Sequence, residues 1–508
     1  MNYNLPVLLI AIPILFSFLS LILGSFNKIL SKIILISVII FNIISGICIY
    51  NSVLKNGNIL TVIGNYLPPF GINLISTYTS ISFLILLYIV FLVASLIFVS
   101  KNDDRADKIS SVLLLYLASS TGILLTGDIF NLFVFIEIFS ISNIILISIK
   151  DKKLSIKGSL KYLIITSIGA SLYLFGIGFL YGILGTLNLS EISLNFDNIS
   201  YFSKVFIFLF FLGSIMAELE VFPFNFWISD SYAGSKNYVN ILLSGLSSIV
   251  ALYIFIRLFL TVFGYPTFIS FSYSLPFNVK TLFLTIFGLS VIVNELAALS
   301  SKNVKRILGF SSASSLSLIL LSLSTGLKNG VMAAMLIAIS VIISKPLLFL
   351  SSHQIMKGKG EKNLNSFIDG FRRNPLFSIL FIIGVFTLVG FPLTPSFWGK
   401  FLLFISATEK ISYTTLILVI VVFSITIELF YYFRLMHKLF IKDENIKVEK
   451  TKNNFVYIFS GILLASIIIF FSVKPYFTQN IVEKTTEDIF DKSGYIKSCL
   501  KSGEIDDR

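Results

Sequence analysis

The chain has 508 residues, of which 56% are hydrophobic and only 13% are charged, and its formal net charge is +13 at pH 7. A soluble protein of this length could not bury so much apolar surface in one core, and the continuous apolar runs exclude the alternating pattern of a β-barrel. With two cysteines and two histidines, the sequence predicts no cofactor and no metal site.

About fourteen apolar runs are long enough to cross a hydrocarbon layer about 30 Å thick. The first run lacks the basic segment of a cleavable signal peptide and is predicted to be a span. The predicted fold class is therefore an all-α polytopic membrane protein. In chain order the spans are residues 5–26, 29–50, 72–99, 109–127, 129–149, 158–185, 203–228, 237–263, 281–300, 304–326, 330–352, 376–405, 411–440 and 453–473.

Basic residues are concentrated in alternate loops between these spans. One set includes the segments 150–161 and 438–452, whereas the other set holds only Lys55, Lys204, Lys280, Lys328 and Lys410. The positive-inside rule places the first set in the cytoplasm and both termini outside a plasma membrane. The positive charge thus reports topology, and nucleic acid is not a predicted partner.

Two spans share a short motif. Phe222-Pro223 is followed by Phe226-Trp227, and Phe391-Pro392 is followed by Phe397-Trp398. Proline interrupts a helix, so Pro223 in one span and Pro392 with Pro395 in the other predict two broken helices. The motif recurs five spans later, and this odd offset predicts two inverted five-helix repeats, as in many transporters. Two ordinary proline kinks are the alternative. The predicted units are a three-helix segment (1–108), the repeats (109–263 and 281–440), and a last helix with an extramembrane tail (441–508).

Several charged residues fall inside predicted spans, where each costs roughly 2.5–3.5 kcal/mol on insertion scales and is a functional candidate. Their distribution along successive spans favours a polar axis near the midplane over a single compact pocket. Such an axis is suited to moving protons or cations. Interhelical ion pairs or snorkelling explain Arg257, Glu295 and Glu428 equally well. The candidates are Glu137, Glu218, Lys345 and Lys400, with Lys161, Arg257, Glu295 and Glu428 as further members of the axis; Glu220 is expected to face away from Glu218 and to matter less.

The chain resembles the antiporter-like membrane subunits shared by respiratory complex I, membrane-bound hydrogenases and multisubunit cation/proton antiporters. The resemblance covers nearly the whole length, and YLPPFGINL before the third span resembles the D-type antiporter subunit and its hydrogenase relatives more than complex I subunits. The stretches that carry it are GDIFNLFVFIEIFSISNIIL with Glu137, FPFNFWISDSY, KRILGFSSASSLSLILL, SKPLLFL with Lys345, and GFPLTPSFWGKFLLF with Lys400.

This resemblance also identifies departures. The family's lysine in the seventh helix corresponds to Glu218, and its lysine in the eighth to Ile249. Its histidines in the tenth and eleventh helices correspond to Ser315 and Val341. The first half-channel therefore lacks its usual amines. Either Glu137 and Glu218 share a proton or hold a cation such as Na⁺, or this half no longer conducts.

The resemblance implies an ion-translocating subunit, for protons and possibly Na⁺, that works beside homologous subunits in a larger membrane complex. By itself the chain is not expected to be an enzyme, although it could belong to a proton-translocating oxidoreductase. The alternatives are a non-conducting structural subunit with a degenerate first half-channel and a stand-alone secondary transporter.

Overall fold

The computed structural model describes residues 4–64, 66, 71–264, 279–359, 363–409, 414–442 and 453–500. Among these residues, thirteen helices are long and apolar enough to cross a membrane. The shorter helices Pro375–Val389 and Pro395–Thr408 form the remaining predicted span in two pieces. The prediction of an all-α polytopic membrane protein is confirmed. Of the predicted loop residues, Lys410 and 443–452 lie outside the described residues.

Up to residue 264, the described residues form ten helices and the two strands of a small antiparallel sheet, β1 and β2. Strand Ile59–Val62 (β1) pairs with Asn73–Ser76 (β2), with Ile59 opposite Ser76. The helices are α1 Leu5–Phe26, α2 Lys28–Asn56, α3 Tyr78–Val99, α4 Ala106–Leu125, α5 Ile129–Ser148, α6 Lys153–Leu184, α7 Leu189–Asn195, α8 Tyr201–Glu218, α9 Ile228–Gly234 and α10 Asn237–Val262.

The second half continues with α11 to α20. Residues 475–500, predicted as part of an extramembrane tail, form the last two of these helices. The bounds are α11 Val279–Ser300, α12 Val304–Leu323, α13 Lys328–Ile355, α14 Gly370–Arg373, α15 Pro375–Val389, α16 Pro395–Thr408, α17 Thr414–Phe440, α18 Phe455–Val473, α19 Pro475–Phe490 and α20 Lys492–Leu500.

The third predicted span starts later than expected, because its first residues form β2. Helix α3 begins only after Thr77, which caps it. The backbone N–H of Ser80 donates to Thr77 Oγ1 at 3.2 Å, and the backbone N–H of Thr77 donates to Ser80 Oγ at 2.9 Å. These reciprocal bonds satisfy two N–H groups at the helix start and fix its position.

Both spans with the Phe-Pro motif are interrupted. Helix α8 ends at Glu218, a 3₁₀ turn covers Phe224–Trp227, and α9 follows. Helix α15 ends at Val389, where Gly390 takes a left-handed φ of 91°, and α16 begins at Pro395. Proline has no N–H to donate, so it suits the gap and the first turn of the next helix. The inverted relation between the two five-helix units stays a prediction.

Helices α10 and α13 are buried along their whole apolar length and form the centre of the molecule. They pack on each other where Gly245 faces Pro346 so closely that a Cβ on Gly245 would lie 2.7 Å from the proline ring. Small residues at such contacts let membrane helices approach and gain van der Waals contact. Both interrupted spans reach this centre, since α9 lies against α12 and α16 lies against α13.

The C-terminal helices cover one end of this centre. Helix α19 packs against α3, α13 and the last part of α10. The backbone N–H of Thr79, in the first turn of α3, donates to Asp488 Oδ2 at 2.9 Å. The side chains of Val482, Thr486 and Tyr495 are buried there. This part of the predicted tail is therefore folded onto the membrane helices.

Candidate functional site

The second interruption places a buried amine against a helix end. Lys400 lies in α16, and its Nζ donates to the carbonyls of Leu388 at 2.8 Å and Val389 at 3.0 Å, the last residues of α15. The same Nζ is 2.9 Å from Glu428 Oε2 of α17. These three acceptors match the three protons of an ammonium group, and the C-terminal end of a helix carries partial negative charge.

Lys345, in the middle of α13, is fully buried and contacts hydroxyl groups. Its Nζ lies 2.6 Å from Ser311 Oγ and 3.3 Å from the hydroxyl of Tyr432. Tyr431 also donates to Ser311 Oγ, at 2.8 Å. The charges of Glu295 and Glu428 act on Lys345 from beyond this shell. A buried amine whose hydrogen-bond partners are neutral hydroxyls can give up a proton without breaking a direct ion pair, as suits a proton relay.

Glu295 of α11 completes the second half of the site. Ser314 and Ser424 donate to its Oε1 at 2.7 and 3.0 Å. Its Oε2 is buried and has no hydrogen-bond partner among the described residues. Glu295 interacts electrostatically with both Glu428 and Lys345. The structure therefore brings together Glu295, Lys345, Lys400 and Glu428, which the sequence had spread over four spans.

Glu220 joins this group from the first interruption. It lies just beyond the end of α8 in a left-handed backbone conformation, with φ of 58°, and is buried. The hydroxyl of Tyr232 donates to Glu220 Oε1 at 3.3 Å, and the charge of Lys345 acts on Glu220. Glu220 contacts Tyr232, whereas Glu218 contacts Ser140 and Tyr162, so the two carboxylates have different partners. The helix has already ended at Glu218, so the turn of the backbone sets the direction of Glu220 in place of helical periodicity.

Glu218, the last residue of α8 and two residues before Glu220, has different surroundings. Ser140 of α5 donates to Glu218 Oε1 at 3.0 Å, and the hydroxyl of Tyr162 of α6 donates to Oε2 at 3.3 Å. Glu137 is half-buried one turn before Ser140, and its charge acts on Glu218. Among the described residues, Glu137 makes no side-chain hydrogen bond. Within the described ranges, no basic side chain forms a hydrogen bond or an ion pair with either of these two carboxylates.

Two other candidates lie apart from these groups. Lys161 binds Asp230 at 2.7 Å, and Arg306 binds the same carboxylate at 3.3 Å. Arg257 is buried near the C-terminal helices, where it donates to the hydroxyl of Tyr253 at 3.0 Å and lies 4.6 Å from the ring centre of Tyr495. Both make local contacts, and the structure does not bring either one to the buried carboxylates and amines described above.

The sequence indicates only some of the hydroxyl groups that contact the charges. Ser311 and Ser314 lie in the serine-rich stretch 311–324, which predicts either hydroxyls along a water path or small residues at a helix interface. Tyr162, Tyr232 and Tyr432 carry no sequence signal, because an aromatic residue in an apolar helix is ordinary. The structure shows that these side chains contact the ionisable groups.

The fold and this site define a class of polytopic membrane protein, in which two interrupted spans surround a buried row of carboxylates, amines and hydroxyls. The chain belongs to the NADH:quinone oxidoreductase/Mrp antiporter transmembrane family, which matches residues 126–427, more than half of its length.

Individual relatives agree with this membership. The chain is 27% identical to the D-type subunit of the Na(+)/H(+) antiporter of Alkalihalophilus pseudofirmus, over 98% of this chain and 99% of the relative. It is 31% identical to the N-type subunit of the NADH-quinone oxidoreductase of Blochmanniella floridana, over 73% of this chain and 77% of the relative. A chain of the membrane-bound sulfane sulfur reductase, an archaeal respiratory membrane complex, matches with 29% identity and a TM-score of 0.89 over 98% of this chain and 100% of that chain. The predicted resemblance, including the D-type relatives, is confirmed.

Proposed function

We propose that the chain is the ion-translocating subunit of a multisubunit cation/proton antiporter or a related respiratory complex, and that it moves protons through its second half. The observation that carries this proposal is the buried group of Lys345, Glu295, Glu428 and Lys400, joined to Glu220 at the first interruption. Ionisable groups are too costly in a membrane to be kept as packing.

The row has the parts that proton movement needs. The amine of Lys345 contacts two hydroxyls, and each hydroxyl both donates and accepts a proton. The ion pair of Lys400 and Glu428 lies beside the end of α15. A proton that reaches Lys345 changes the field at Glu428, and this coupling would drive exchange along the row.

Transport by the reconstituted complex tests the proposal. Lys345→Ala or Lys400→Ala should abolish or strongly reduce proton movement while the complex still assembles. Lys328→Ala is a matched control, because Lys328 begins the same helix as Lys345 and its side chain is 59% exposed. Wild-type transport in both axis variants would refute this function. Activity of the isolated chain would instead favour a stand-alone transporter.

The first half supports a second candidate function, a structural subunit whose first half does not conduct. Glu218 occupies the position where the resemblance leads one to expect a lysine, so Glu137 has a second carboxylate there in place of an amine. If Glu218→Gln leaves every ion flux and every ion affinity of the complex unchanged, this half serves assembly alone.

We further propose a plasma-membrane location with both termini outside. The support is the bias of lysine and arginine towards alternate loops. Cys48, which is exposed, and Cys499 are first replaced, and a single cysteine is then introduced at position 55 or at position 152. In right-side-out membranes, an impermeant reagent should label the cysteine at 55 and leave the one at 152 unlabelled. Labelling at 152 from outside would reverse the topology.

A further inference from the structure

We propose that the first interrupted span holds a sodium site, in which Glu218 supplies the charge and Ser140, Tyr162 and Asn143 supply neutral oxygen atoms. The proposal rests on the proposed function, since it names the ion that the first half takes and where it binds.

The first observation is the set of oxygen atoms around one carboxylate. Ser140 Oγ lies 3.0 Å from Glu218 Oε1, and the Tyr162 hydroxyl lies 3.3 Å from Oε2. Ser140 and Tyr162 come from two different helices, α5 and α6, and both are almost completely buried. Carboxylate and hydroxyl oxygens are ligands for hard cations, and one carboxylate in direct contact balances a single positive charge.

The second observation is an unused acceptor beside these groups. Asn143 is fully buried on α5, one turn after Ser140, and its Nδ2 lies 3.4 Å from the Tyr162 hydroxyl. Its Oδ1 has no hydrogen-bond partner in the part of the chain that the structure describes. A buried carbonyl oxygen without a partner costs free energy. Because a half-turn of the amide exchanges its two ends, Oδ1 can take the place of Nδ2 beside the Tyr162 hydroxyl.

The third observation is the position of Glu218 at a helix end. Glu218 is the last residue of the 18-residue helix α8, whose C-terminus carries partial negative charge. The charge of Glu137 also acts on it. A carboxylate in this place is repelled from both directions, and a bound cation removes both repulsions. Interrupted helices of transporters bind Na⁺ at such C-terminal ends.

The Ser140 hydroxyl can turn its proton away from Glu218 and present its oxygen lone pairs to an ion. Ser140 now donates to Glu218, whereas Ser142, two residues on, donates to the backbone carbonyl of Ile138 at 2.7 Å. When Na⁺ occupies the site, the Ser140 proton can turn to its own helix in the same way. Ser140 then presents only oxygen to the ion.

Equilibrium binding of ²²Na⁺ to the purified, intact complex tests this site. Glu218→Gln should remove one saturable sodium site per copy of the chain. Ser140→Ala should weaken sodium binding there by on the order of tenfold or more, as losses around a metal site do. Ser142→Ala is the matched control and should bind like the wild type, because its hydroxyl contacts only its own helix.

The result that would overturn the sodium site is equal ²²Na⁺ binding by wild type, Glu218→Gln and Ser140→Ala; a proton shared by Glu137 and Glu218 predicts this outcome. If the Glu218→Gln complex does not assemble, the difference in sodium affinity between Ser140→Ala and Ser142→Ala decides the test by itself. The binding assay needs no transport, so it fails separately from the proposed function. Loss of proton movement in Lys345→Ala with unchanged sodium binding in Ser140→Ala would reject only the site.

Discussion

The two interrupted spans have the same Phe-Pro motif at the gap, but they place opposite charges at the helix end before it. At the second gap, the Lys400 amine contacts the last carbonyls of α15 and pairs with Glu428. At the first gap, Glu218 is itself the last residue of α8, and two hydroxyls hold it. The backbone of a broken helix therefore does not set the sign of the charge beside it.

This difference has an electrostatic consequence. An amine at a helix C-terminus is attracted by the partial charge there, so the second site is satisfied by protein groups alone. A carboxylate at the same position is repelled and gains from an added cation or proton. The second gap thus has a built-in counter-charge, whereas the first is suited to receive one from solution.

The largest expected effect is the loss of the Lys400–Glu428 pair. Lys400→Ala leaves Glu428 buried without its partner, which should cost about 3–5 kcal/mol of stability in addition to transport. The double variant Lys400→Met with Glu428→Leu removes both charges and should recover most of that stability but no transport. Thermal unfolding of the purified complex measures the stability of the single and the double variant, and proton transport by the reconstituted complex measures their function. Equal losses in the single and double variants would mean that the pair is not coupled.

A smaller stability effect is expected at Lys345, which has hydroxyl contacts in place of an ion pair. Lys345→Met keeps the apolar stem and removes the amine, so unfolding should change by no more than about 1 kcal/mol while proton transport is lost. The comparison with Lys400→Ala separates conduction from stability. Destabilisation as large as that of Lys400→Ala would show that Lys345 is mainly structural.

Glu218→Lys would make the first gap resemble the second. The new amine would lie at the end of α8 next to Glu137, so we expect normal assembly and a gain of roughly 0.3–1 kcal/mol in stability. Sodium binding at this place should disappear. Equilibrium ²²Na⁺ binding and thermal unfolding check the two parts. Failure of the variant to assemble would show that the gap does not accept a positive charge.

The smallest effect is expected for an ion pair outside the membrane spans. Burial raises the pKa of Asp103, but the hydrogen bond from Lys236 and nearby positive charges lower it more, so the carboxyl stays below its usual range. Its stabilisation is present above the ordinary pKa and is lost as pH falls through the lowered value. Asp103→Asn should cost at most about 1 kcal/mol at pH 7, and the difference from wild type should vanish in acid. Unfolding measured across pH checks this, and a loss of about 3 kcal/mol or more would remove the contrast with Lys400–Glu428.

Much of the fold could be predicted from the sequence, because membrane insertion is decided locally. A run of apolar residues of this length must span, whatever surrounds it. A proline favours an interruption but does not impose one, since Pro13 and Pro346 lie inside the continuous helices α1 and α13. The sequence therefore identified the spans, both gaps, and the charged residues Glu137, Lys345 and Lys400. It placed the start of the third span too early, since Leu74 and Ile75 of β2 come shortly before the apolar run of α3.

The sequence by itself determined the class of protein, the family that it resembles and the charged residues that lie inside membrane spans. Only the tertiary structure decided their partners. Hydroxyls such as those of Tyr162 and Tyr432 cost little in an apolar helix and leave no pattern, and Glu428 meets Lys400 only because α16 packs on α17. Whether a buried charge has a counter-charge depends on the packing of helices that are distant in the chain, and hydropathy does not record that packing.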